Sequence, residues 1–351
     1  MKRTLALSML CAAAAVAVSL ALGTSAPAGT VTLTASDAGG TTSFNAAGHW
    51  DNFAPPSAGN DYVDNQYQLR TPQAAGDFTF AGDSLTMGDG VNSAQLLWKG
   101  TTANASITIN DLRLNNGSVA NGVGGNFTLA GNITLQAGGG SFDYAGNGRS
   151  MTVTAPIGGA GDATVINTGT AGNGTIIFAA ANSYSGATNV NAGTLRLTDS
   201  GALGNTTGVV INTNTGQVSG TGPMLELQNN VSIPAAVSLT MNSVAAGNYR
   251  TEFRTNGGNN TWNGPVYLNG DGLTQVAADG AGTLTINGNI SAGGSGFTGT
   301  LFLRGGGATG TINGTINMPG GTLAKTDDST WTVGAAGMTY SWGNTLSLIH
   351  I

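Results

Sequence analysis

The tetrapeptide Gly82-Asp83-Ser84-Leu85 spells a serine-hydrolase signature. That chemistry needs Ser84 as nucleophile at a strand-to-helix turn and a downstream Asp-x-x-His to supply the base. The chain has 2 histidines, His49 and His350. His49 lies upstream, and Ser347 stands where His350 would need its Asp. The match is therefore read as chance, with Leu85 in the core of a strand running through Met87. Asp327-Asp328 beside Lys325 offers a second candidate, the acidic and basic pair of a polysaccharide lyase. The preferred reading is a solvated turn before a strand at Trp331. The loops Gly88-Asp89-Gly90 and Gly270-Asp271-Gly272 each supply one carboxylate, which is thin for a hard cation such as calcium. Trp50, Trp98, Trp262, Trp331 and Trp342 could stack on sugar rings but are expected to fill or cap a core. No catalytic, cofactor-binding or metal-ligating residue is assigned, no cofactor is expected, and the chain is read as not an enzyme.

Composition points the same way. Only 8% of residues are charged, against about 25% in ordinary globular domains. The net charge is −6 with 11 Lys and Arg, which argues against a nucleic-acid partner. Residues 1–28 read as a secretory signal peptide: Lys2 and Arg3, an apolar run from Leu5 to Leu22, then small residues Ala26 and Ala28 at a cleavage pattern. The alternative is an uncleaved anchor. Cleavage after Ala28 would remove Cys11, the single cysteine, and leave no disulfide or thiolate chemistry. Glycine, at 58 of 351 residues, would suit disorder, but Pro is scarce at 9 and the apolar residues alternate with Thr and Ser.

That alternation recurs in short runs: Ser106–Ile109, Ile133–Leu135, Met151–Thr154, Thr194–Thr198, Thr283–Ile286 and Thr300–Leu303. One face carries Leu, Ile, Val or Phe and the other Thr or Ser, a strand pattern. Asn-Gly, Gly-Gly and Gly-Asn pairs stand between the runs, as turns require. The chain after Ala28 is therefore all-β. The pair Gly-Thr opens strands at Gly174, Gly193, Gly282, Gly299, Gly310 and Gly321, and spacings of 19, 17 and 22 residues between Gly174 and Gly193, Gly282 and Gly299, and Gly299 and Gly321 suit the rungs of a β-solenoid. The same wandering period argues against Thr30–Thr34 belonging to a regular ice-binding face. Stacked rungs set equivalent side chains about 4.8 Å apart, where like charges repel and Asn, Thr and apolar residues support one another. Ile176, Phe178, Leu195, Leu197, Ile286, Leu301 and Leu303 are expected to face the core.

Residues 172–198 closely resemble the autotransporter-associated β-strand repeat through Asn182, Tyr184, Gly186, Thr188, Val190, Asn191, Ala192, Gly193, Thr194 and Leu195, followed by Gly201-Ala202-Leu203-Gly204. Of these, Asn182, Tyr184, Gly186, Asn191, Gly193, Thr194 and Leu195 are taken as the structural repeat motif. A partial copy spans 323–344. Residues 44–63, with His49-Trp50-Asp51-Asn52, more weakly resemble the opening segment of such secreted proteins. The resemblance implies a right-handed parallel β-helix over 29–345, exported to the cell surface. It implies no activity, since function does not follow from fold. The expected role is a structural or adhesin-like rod displaying loops, with extracellular glycan or matrix as partner. The alternatives are a polysaccharide-active lyase or hydrolase, which would need acidic and basic residues clustered on adjacent rungs, and a passive spacer. The tail 346–351, Leu-Ser-Leu-Ile-His-Ile, resembles the translated end of a transposon used in sequencing libraries. It is read as non-native, so outer-membrane association would come only through a missing C-terminal region. Resequencing the source DNA checks this; a native stop codon straight after Ile351 in independent reads overturns it.

Overall fold

The computed structural model describes residues 29–123, 125–146, 148–169, 173–213, 222–245, 250–334 and 341–342. The signal-peptide reading of 1–28 and the tail at 346–351 lie outside the described residues. The rest is all-β. Parallel strands stack as a β-solenoid of about eleven rungs, and no helix occurs among the described residues.

Each rung circles through three faces. The third face is a 12-stranded sheet running from Gln68–Arg70 to Ser341–Trp342. The first and second faces merge into one sheet because long strands such as Ala105–Leu114, Asn126–Leu135, Arg250–Trp262 and Leu273–Ile286 bend around the corner between them. The bend breaks register between Ile109 and Leu112 and between Asn256 and Gly258. Gly131 sits at such a corner with φ 105°, and a methyl group there would lie 1.8 Å from Ile109 O. Only glycine allows the backbones to approach this closely.

The alternating pattern becomes columns. Along the first face Phe127, Met151, Ile176, Leu195, Leu225, Phe253, Val276 and Leu303 lie over one another in register. Along the third face Leu69, Leu96, Val119, Phe142, Val165, Val190, Ile211, Met241 and Leu268 do the same. All of these are buried, as are Phe178, Leu197, Ile286 and Leu301. Burying one such side chain contributes about 1.5–3 kcal/mol. The polar ladders expected from the composition are also present. Asn212 donates to Asn191, Asn242 to Asn212 and Asn269 to Asn242, at 2.7–2.9 Å. Asn313 donates to Asn287 and Asn287 to Asn263, both at 2.7 Å.

One spacing needs correction. Thr175 pairs with Thr194 and Thr300 with Thr322, so 19 and 22 residues each mark a rung. The 17 residues from Gly282 to Gly299 do not, because Thr283 pairs with Thr309 on the second face and Thr300 with Leu273 on the first. Gly-Thr opens strands on both faces, and sequence spacing alone cannot separate them. The stretch from Thr322 to Trp342 supplies one strand to each face: Thr322–Lys325, Thr330–Val333 and Ser341–Trp342.

At the N-terminal end, residues 33–50 fold over the first rung. Phe44 packs edge-on against Phe80, Trp50 against Tyr62, and Tyr62 against Phe80. Trp50 Nε1 donates to Ser43 O at 2.6 Å, and the buried Asp37 carboxylate accepts from Ser43 N, Ser43 Oγ and Arg70 N. Close by, Asp64 is fully buried. Its Oδ1 accepts from Tyr67 N at 2.7 Å and Gln66 N at 3.2 Å, while Oδ2 has no partner among the described residues.

Leu195→Asp places an unpaired charge in a continuous apolar column and should cost several kcal/mol, read as a lower denaturation midpoint. Burial, the largest cause, pushes Asp64 from the ordinary 3.8 up to about 6, with Asp37 adding to it and the Tyr67 and Gln66 N–H groups opposing. The folded state then holds a proton that the unfolded state releases between those values. Stability should therefore fall as pH rises from about 4 through 6, by up to about 3 kcal/mol, and be regained on acidification. Asp64→Asn should flatten that dependence in melting curves taken from pH 4 to 7.

Candidate functional site

The repeat motif lies where the second face changes construction. Strands occupy that face up to Ile157–Gly159 and again from Ser232–Ile233. In the two rungs between, loops at 182–185 and 201–205 take their place. The backbone bonds continue without a strand: Ser183 N and Tyr184 N donate to Ile157 O, Ser185 N to Gly159 O, and Asn205 N to Tyr184 O. Asn182 joins the rungs on both sides. Its Oδ1 accepts from Ile157 N at 2.8 Å and its Nδ2 donates to Ala202 O at 2.5 Å. Tyr184 is fully buried, its hydroxyl 2.6 Å from Thr188 Oγ1, and burial pushes its phenol well above the usual range.

The other motif residues also serve stacking. A methyl group on Gly186 would lie 2.2 Å from Gly161 O, and one on Gly193, at φ 57°, 2.3 Å from the Tyr144 ring. Asn191 starts the amide ladder, Thr194 N donates to Gly174 O at 2.9 Å, and Leu195 belongs to the core column. The motif thus writes one rung of loop-for-strand exchange.

The family model of the passenger-associated-transport repeat matches residues 171–197. Repeat and solenoid together fit an autotransporter passenger-like repeat protein. The match agrees to within one residue with the segment 172–198 read from sequence, and it covers a small part of the chain. No curated protein and no solved structure matches the chain.

Ser84 opens the strand Ser84–Met87 rather than a strand-to-helix turn, and its buried hydroxyl donates to Asp61 Oδ1 at 2.5 Å across the rungs. His49 lies in the N-terminal cap, where its carbonyl receives Thr34 Oγ1; His350 lies outside the described residues. Asp89 is exposed and its carboxylate accepts from Val91 N, Asn92 N and Asn92 Nδ2, which hold it below the usual carboxylate range, the Asn92 side chain most. Asp271 Oδ1 accepts from Ala245 N at 2.9 Å on the rung before. Trp50, Trp98, Trp262 and Trp331 are buried. The turn at Asp327 is not merely solvated, since Arg304 Nε donates to Asp327 Oδ2 at 2.8 Å.

Sequence reading missed a charged ladder on the outside of the first face. Ile177, Arg196, Glu226, Arg254, Ala277 and Arg304 lie in one register column. Glu226 is fully buried between two guanidinium groups. Arg196 Nε bonds its Oε1, and Arg254 Nε donates to its Oε2 at 2.7 Å. Glu252, the chain's other glutamate, is 3.9 Å from Arg254, and burial more than offsets that arginine to push its carboxyl up. Arg304 Nη1 donates to Gln275 Oε1 at 3.0 Å. Acidic and basic residues do therefore gather on adjacent rungs. Their signs alternate along the column, however, so that stacking at about 4.8 Å becomes attractive instead of repulsive. A signal existed in the sequence: both glutamates and four of the arginines fall within 196–304.

Glu226→Gln would leave Arg196 and Arg254 facing each other across a desolvated gap, and should cost about 3 kcal/mol or more in urea unfolding. Ser84→Ala should change only stability, by about 1 kcal/mol, the worth of one hydrogen bond. Esterase activity abolished by that substitution would overturn the structural role given to Ser84.

Proposed function

We propose that this chain is an exported, non-enzymatic surface module, a rigid solenoid that displays its loops as a structural or adhesin-like rod. The passenger-associated-transport repeat at 171–197 carries the reading, because a repeat of this kind suggests an exported or surface protein. Residues 1–28 would serve as the leader. Two features support a scaffold role. The repeat residues are spent on holding rungs together, and the most charged part of the first face neutralises itself through Glu226 and Asp327. A stack of backbone ladders also suits a rod, since each rung contacts only its neighbours and length can vary without redesigning the core.

The test is a glycan and matrix-protein array probed with the purified chain from residue 29 onward. Saturable binding to an extracellular glycan or matrix component is the expected result. Binding to none of them would sink the adhesive part of the proposal and leave a spacer.

A further inference from the structure

Seven of the nine described cations fall into two sets, and Arg250 and Lys325 belong to neither. Arg113, Arg196, Arg254 and Arg304 each lie within 2.8 Å of a carboxylate. Arg70, Lys99 and Arg149 have no carboxylate within ion-pair distance among the described residues, yet they gather at one corner of the solenoid. Arg70 ends the third-face strand Gln68–Arg70, and Leu97 lies over it in register. Lys99 follows two residues on, its N–H held by Thr71 Oγ1 at 2.8 Å. Lys99 Nζ donates to Gly122 O at 3.0 Å and Arg149 Nη1 to Asn121 O at 2.8 Å, so the two side chains reach consecutive carbonyls of the same rung. Arg70 Nε donates to Gln68 Oε1 at 2.9 Å.

All three side chains are half-buried. Desolvation first, then repulsion from Arg70 and Arg149, pull the Lys99 ammonium below its usual range. The register column Arg70, Leu97, Ala120 and Asp143 contains one carboxylate. Asp143 is buried and already engaged by Thr168 Oγ1 and by the N–H groups of Ala145 and Thr168. In a chain of net charge −6 and 8% charged residues, three cations thus share a corner without a side-chain ion pair among the described residues, and Asp37, which accepts from Arg70 N, is also held by Ser43.

We propose that Arg70, Lys99 and Arg149 form a binding site for an acidic polysaccharide lying along the solenoid axis. The column they flank spans three rung spacings, about 14 Å. That length suits charges carried at intervals on an extended polymer better than one small anion. Nucleic acid is the poorer fit, because single strands need exposed aromatic platforms, whereas Trp98 here is buried and stacked on Phe127. The site rests on the surface-adhesin reading and gives that reading a ligand class.

The experiment measures binding of the chain from residue 29 to polygalacturonate, to dextran sulfate, to neutral dextran and to a single-stranded oligonucleotide. Polygalacturonate or dextran sulfate should bind, whichever anion the site prefers, and weaken steeply as salt is raised. Lys99→Gln with Arg149→Gln should lose about tenfold or more in affinity, as expected for two lost charge contacts. Lys99→Arg with Arg149→Lys should retain binding, and Lys99→Met alone gives a milder variant should the double one unfold in melting curves. Unchanged affinity in the charge-removing variants, tighter binding to neutral dextran, or tighter binding to the oligonucleotide would overturn the proposal. If array ligands survive Lys99→Met and Lys99→Gln/Arg149→Gln unchanged, adhesion stands and this site falls. If neither the array nor the acidic polymers bind, both fall.

Discussion

Vertical stacking of equivalent residues is the constraint on which this structure depends. Once the backbone forms a parallel ladder, every side chain has a counterpart directly above and below it at about 4.8 Å. Each position must therefore tolerate copies or complements of itself. Apolar residues do so by filling columns such as the one through Ile176 and Leu195, and asparagines by passing amide hydrogen bonds upward from Asn191 to Asn269. Charges do so only by alternating in sign, as Arg196, Glu226 and Arg254 do.

The same constraint explains the repeat motif. A loop that replaces a strand must still offer bonds to both neighbouring rungs, or buried amides would be left unpaired at a cost of about 1–3 kcal/mol each. Asn182 meets that need with one side chain, accepting from the rung before and donating to the rung after. Tyr184 is buried in the core there and anchors its hydroxyl on Thr188. The motif is thus a local solution to a general problem.

Departures from the stacking rule mark places where something other than stacking is at stake. Asp64 keeps one buried carboxylate oxygen without a partner among the described residues, beside the N-terminal cap. Arg70, Lys99 and Arg149 place like charges together where the chain elsewhere alternates them.

The all-β class, the stacked-rung architecture, the inward residues and the identity of the repeat segment were legible in the sequence, because alternation and turn chemistry are local. Ile176, Phe178, Leu195 and Leu197 declare their face by parity alone, and the Asn-x-Tyr-x-Gly portion of the repeat by residue type. Which strand lies over which was not legible. Gly-Thr opens strands on two faces, so the interval from Gly282 to Gly299 looked like a rung and is not. The pairing of Glu226 with arginines 30 and 28 residues away, and the meeting of Lys99 with Arg149, depend on rung lengths that change from one rung to the next. Side-chain chemistry fixes what may stack; only the closed path of the backbone around three faces decides what does.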